Sequence, residues 1–100
     1  MDLTFMRQGY ENGGLSKEQL NSDPFLQFEV WFEEANDAEP IPNAMSLATV
    51  GKSGTPMLRT VLLKLFDENG FVFFTNYQSR KAAQIEENPN VAMLFNWVAM

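Results

Sequence analysis

One hundred residues, 45% of them hydrophobic and 13% aromatic, supply enough apolar material for one packed domain. Seven Lys and Arg against thirteen Asp and Glu leave a net charge of −6, which argues against a sequence-independent grip on nucleic acid, since that needs clustered cations to release counterions. Cys and His are both absent, so thiol nucleophiles, disulfides, histidine metal sites and a Ser-His-Asp arrangement are excluded together, and any chemistry has to be borrowed.

The opening stretch, MDLTFMRQGYENGG, reads as an irregular arm because Gly9, Asn12, Gly13 and Gly14 interrupt any period. It has no basic segment followed by an apolar run of signal-peptide length, and no 18 consecutive apolar residues occur anywhere, so the default expectation is a cytoplasmic protein without a membrane partner. SKEQLN then carries a capping-box pattern, Ser16 to Gln19, and predicts a short helical turn. Arm and turn together form residues 1–22, and residues 23–100 read as part of one domain.

Asp23 is a natural N-cap with Pro24 at the first helical position, and Phe25, Phe28, Trp31, Phe32 and Ala35 share one face at 3.6 spacing. That stripe predicts a helix packed on the core, ended by Pro40 and Pro42. From Asn43 the pattern changes to short β runs: residues 44–50, 57–66 and 71–76, separated by GKSGTP and DENG, form an antiparallel meander. Ser79 caps a helix that Asn88-Pro89 stops, and residues 91–97 predict a fourth strand. The fold class is therefore mainly β with flanking helices. The last strand is strongly apolar and nothing after it covers its edge, so the chain reads as a partial one.

Four cations stand out. Arg80 and Lys81 occupy the first turn of a helix, where the macrodipole disfavours cations and favours anions. A bound phosphate ester held by both side chains and free backbone N–H groups removes the conflict; a solvated basic turn offset by Glu86 and Glu87 is the alternative. Arg59 and Lys64 lie in an otherwise apolar strand, where an unpartnered buried ion costs several kcal/mol. Being five apart, they alternate to opposite faces. Either a bulge re-aims one of them, or one faces ligand and the other faces solvent or a second subunit; an edge strand with snorkelling side chains is the plainer alternative. Thr75 with the Phe74 backbone offers ligand-bonding groups, although a Thr that simply suits a strand is the stronger local reading; Arg7 and Tyr10 in the arm offer a polar clamp, with an ordinary disordered terminus as the equal alternative. No catalytic residue and no metal ligand is assigned.

RTVLLK, FFTNYQSRKAAQIEENP and LFNW, in this order and preceded by DPFLQFEVWFEEA and NAMSLATV, resemble the N-terminal half of the pyridoxine (pyridoxamine) 5'-phosphate oxidase family, over residues 7–97. The resemblance implies an FMN-binding split β-barrel, incomplete in this chain, with FMN at the interface of a homodimer. It implies flavin contacts from Arg59, Thr60, Val61, Leu62, Leu63 and Lys64, from Phe74 and Thr75, and from Arg80 and Lys81, the last two at the phosphate. Lys64, Arg7 and Tyr10 match substrate-binding positions. The implied reaction oxidises pyridoxamine or pyridoxine 5'-phosphate to pyridoxal 5'-phosphate with O2 as acceptor. The family pattern continues past LFNW with further strands, further flavin contacts and an Arg-x-His element, so the chain alone is expected to be a weak or inactive oxidase. A flavin- or phosphate-binding chain without turnover, pairing with a full-length subunit, is the alternative.

Overall fold

The computed structural model describes residues 1–7, 14–75 and 79–100. After a single 3-10 turn at Lys17–Gln19 come helix α1 (Pro24–Ala38), strands β1 (Ala44–Val50), β2 (Pro56–Asp67) and β3 (Gly70–Phe73), helix α2 (Arg80–Glu87) and strand β4 (Ala92–Leu94). The Asp23 carboxylate accepts the Phe25 N–H at 2.9 Å, so α1 begins where the cap and Pro24 require. Asp23→Ala is expected to cost about 1 kcal/mol, read as a lower urea midpoint with an unchanged slope.

The α1 stripe forms one side of the core. Phe28 is its centre, meeting Phe66 and Phe71 edge-on at 4.9 Å each and Phe95, Trp97 and Phe32 at 5.2, 5.6 and 6.0 Å. Phe25 reaches Phe71 at 6.0 Å, Ala35 is fully buried and Trp31 is half-buried. Edge-to-face packing lets many rings share a small volume without opposing their negative faces.

The four strands form one antiparallel sheet in the order β3-β2-β1-β4, and among the described residues it does not close into a barrel. β1 pairs with β2 from Ala44 opposite Leu62 to Val50 opposite Pro56, and with β4 from Ser46 opposite Leu94 to Ala48 opposite Ala92. The β1–β2 turn closes through Gly54 N–H to Gly51 O, with Gly54 at φ +80°, a conformation that favours glycine. Alternation places Met45, Leu47 and Thr49 on the covered face, all buried. The opposite face carries Leu58, Leu62 and Leu94, all exposed, alongside Ala48, Ser46 and Thr60.

Three predicted boundaries are corrected. β3 stops at Phe73, so Phe74 and Thr75 lie beyond the strand. β4 has three residues instead of the seven spanning 91–97, because past Leu94 the chain gives up pairing for ring packing: Phe95 and Trp97 join Phe28, and the Trp97 indole N–H donates to Pro42 O at 2.9 Å. The Ser16 side chain makes no capping bond, and SKEQLN yields only the three-residue 3-10 turn. The meander, α1 and α2 form as expected, and β4 is an edge strand.

Candidate functional site

Arg59 sits on the covered side of β2, half-buried, opposite Leu47. Its Nη1 donates to Leu47 O at 3.2 Å and to Thr49 Oγ1 at 2.7 Å. Both partners are neutral, so the guanidinium is held without being neutralised by them. Thr49 is 2% exposed, and its hydroxyl also bonds Gln84 Oε1 on α2. β2, β1 and α2 are thus joined by one side-chain chain.

Helix α2 starts at Ser79, whose hydroxyl accepts the Ala82 N–H at 3.3 Å. The N–H groups of Arg80 and Lys81 then have no acceptor among the described residues. Both side chains emerge from this turn, Arg80 exposed and Lys81 half-buried. Thr75, half-buried, shares a hydrogen bond of 3.3 Å with Ser79, tying the end of β3 to the start of α2. Phe74 beside it is 75% exposed, an apolar ring with nothing over it among the described residues. Glu87, at the other end of α2, accepts the Lys52 N–H at 2.8 Å and so fastens the helix to the β1–β2 turn. A Cβ on Gly51 would stand 2.5 Å from Glu87 Oε2, so a larger residue there would push the carboxylate away from the Lys52 N–H.

Arg80, Gln84 and Glu87 follow one stripe of α2, with Arg80 about 6 Å along the axis from Gln84. The structure thus links Arg59 to α2 through Thr49 and Gln84, and Thr75 to the start of that helix, from whose first turn Arg80 and Lys81 project. Lys64 is not among them. It is exposed and sits at a bulge, since Leu63 pairs with Phe73 but Leu65 pairs with Val72, leaving Lys64 as the extra residue. The bulge does not re-aim Arg59 or Lys64, which strict alternation already separates; it makes Leu65 exposed and returns Phe66 to the aromatic core. Here β2 has run past the start of β1, and Asn43 closes the gap, its carbonyl accepting the Leu63 N–H at 2.8 Å and its Nδ2 donating to Leu63 O at 3.0 Å. Lys64 lines an open cleft of about 450 Å³ with Phe32, Asn36, Pro42 and Asn43.

The remaining residues of the β2 segment divide by alternation. Val61 and Leu63 face the core side; Thr60 and Leu62 are exposed on the other. Arg7 is exposed in the arm, and Tyr10 lies outside the described residues. Sequence reasoning missed Thr49, Gln84 and Asn43. Thr49 had a legible signal: it is the one polar residue at the buried parity of AMSLATV.

The open sheet with its two helices matches part of larger proteins of the FMN-binding split-barrel fold. The chain superposes on PhzG from Burkholderia lata 383, solved with tetrahydrophenazine-1-carboxylic acid, with a TM-score of 0.77 and 25% identity, over 85% of this chain and 44% of that one. It superposes on a pyridoxamine 5'-phosphate oxidase-related, FMN-binding protein from Nostoc punctiforme PCC 73102 with a TM-score of 0.64 and 26% identity, over 74% of this chain and 40% of that one. Residues 32–100 match the family model described as pyridoxamine 5'-phosphate oxidase, and the chain belongs to that family. Relatives named pyridoxine/pyridoxamine 5'-phosphate oxidase include one from Crocosphaera subtropica, 60% identical over all of this chain and 47% of its own length. Another, from Aliarcobacter butzleri, is 60% identical over 98% of this chain and 47% of its own length. The chain spans about half the length of the curated relatives it matches.

Proposed function

We propose that this chain forms the flavin-phosphate-holding half of an FMN-dependent oxidase that converts pyridoxamine or pyridoxine 5'-phosphate to pyridoxal 5'-phosphate, with O2 as acceptor. The observation that carries the reading is the 60% identity with relatives of that name along the whole chain. The residues present fit the cofactor's phosphate: Arg59 is held in place by neutral acceptors, and two N–H groups and two cations stand at the capped start of α2.

The chemistry FMN supplies when bound is acceptance of a hydride from the substrate, with the electrons then returned to O2. The protein's part is binding and orientation. Arg80 and Lys81 hold the cofactor phosphate, Arg59 holds a second polar edge, and the Phe74-Thr75 segment lies against the flavin. The backbone from Thr60 to Leu63 runs beside it. Lys64, apart from the others, meets the substrate phosphate, and Arg7 and Tyr10 close over substrate. In this reading a homodimer in the cytoplasm completes the site. No helix among the described residues is long and apolar enough to cross a membrane.

The open sheet favours a second reading, a chain that binds flavin or phosphate without turnover and pairs with a full-length subunit through its β4 edge. Titration of the purified chain with FMN, followed by quenching of flavin fluorescence at near-physiological salt, tests both when the oligomeric state is recorded on the same sample. Saturable binding with measurable pyridoxal 5'-phosphate formation supports the oxidase; saturable binding without turnover supports the second reading. Absence of binding overturns the second reading and means that the flavin site needs the part of the relatives' length that this chain does not span.

A further inference from the structure

Arg59 is connected to α2 through a chain whose polarity is fixed. An arginine only donates, so Thr49 Oγ1 accepts from Nη1 and must direct its own O–H to Gln84 Oε1; this sets the orientation of the Gln84 amide. The two hydrogens of Nη1 are taken by Leu47 O and Thr49 Oγ1, which leaves Nε–H and the Nη2 pair without acceptors among the described residues. The hydroxyl is buried, and no buried side-chain N or O among the described residues lacks a partner. The helix that supplies Gln84 is itself locked at Glu87 and carries Arg80 one turn before Gln84.

We infer that Thr49 and Gln84 are positioning residues that hold one edge of the Arg59 guanidinium so that its other edge meets the flavin at a fixed distance from Arg80 and Lys81. This rests on the reading of Arg59 as a flavin contact. A long side chain otherwise loses rotamer freedom on binding, and a guanidinium already fixed by protein acceptors has lost it beforehand. A role limited to fastening α2 on the sheet would use the same residues but would not couple them to ligand affinity.

The test uses the full chain with Thr49→Val, Thr49→Ser and Gln84→Glu, following three readouts: guanidinium nitrogen NMR of Arg59, melting temperature and FMN affinity. In the parent and in Thr49→Ser, slow rotation is expected to leave the Arg59 Nη protons individually resolved; in Thr49→Val they average. Thr49→Val is expected to weaken FMN by about ten-fold, the scale of one charge-assisted hydrogen bond, with Thr49→Ser restoring most of it. Gln84→Glu separates the two roles. A carboxylate there draws the Arg59 charge to itself, so the melting temperature holds or rises while FMN affinity falls by about ten-fold.

Affinity that follows melting temperature in all three variants, or averaged Arg59 signals in the parent, overturns the positioning role. Resolved Arg59 signals in a parent chain that does not quench flavin overturn the flavin reading instead, and reduce Thr49 and Gln84 to fastening residues.

Discussion

Replacing Phe28 by Ala is expected to unfold much of the chain at temperatures where the parent is native. Phe28 touches five other rings drawn from α1, β2, β3 and the segment after β4, so it is the point at which the separate elements are sewn together. Truncating a fully buried Phe costs about 3–5 kcal/mol, through lost transfer energy and the cavity left behind, and the half-buried Phe28 belongs at the low end, about 3 kcal/mol. A domain of this size has about 5–15 kcal/mol in all, and one that leaves Leu58, Leu62 and Leu94 in water belongs at the lower end. At about 4–8 °C per kcal/mol, the melting temperature should fall by more than about 12 °C in circular dichroism. Phe5→Ala, at an 80% exposed position, is the control and should leave the melt unchanged. A Phe28→Ala shift of only a few degrees would mean that the cluster collapses around the gap, and that the sheet pairing rather than the rings holds α1 in place.

How legible this was depends on the range of the interaction. Asp23-Pro24, Ser79 and the α1 stripe act within one or two turns, and sequence alone locates both helices from them. The meander was equally readable, because alternation and the turns at Gly51–Gly54 and Asp67–Gly70 are local. Strand ends were not. β4 shortens because Phe95 and Trp97 gain more from Phe28 than from pairing with β1, a competition that involves residues 67 and 69 positions apart in the chain. The spacing of Arg59 and Lys64 allows a bulge, but the bulge at Lys64 acts on Leu65 and Phe66. The four cations were visible at once; their acceptors were not. Arg59 finds its acceptors on β1, ten and twelve residues earlier, and Gln84 completes the chain from a helix 25 residues later. Nothing local in RTVLLK announces those partners.

Removing both cations at the start of α2, in an Arg80→Ala, Lys81→Ala double variant, is expected to move stability and ligand affinity in opposite senses. Cations in a first helical turn oppose the macrodipole by a few tenths of a kcal/mol each, and Ala is the best helix former, so the helix by itself gains. Lys81 is half-buried, and the loss of its stem against neighbouring surface returns part of that gain. The urea midpoint should therefore stay within about 0.5 kcal/mol of the parent, or rise. Flavin affinity should behave differently. A hydrogen bond to a charged group contributes about 1.5–3 kcal/mol, and two lost at one phosphate correspond to a fall of at least about a hundred-fold. The remaining binding should depend less on salt, because fewer charges are left to screen. FMN titrations at two ionic strengths, beside urea melts of the same samples, read all three quantities. Equal loss of stability and affinity would assign the pair to the fold. A hundred-fold loss with the fold intact would mean that the sequence has kept two cations against the helix dipole because an anion sits there.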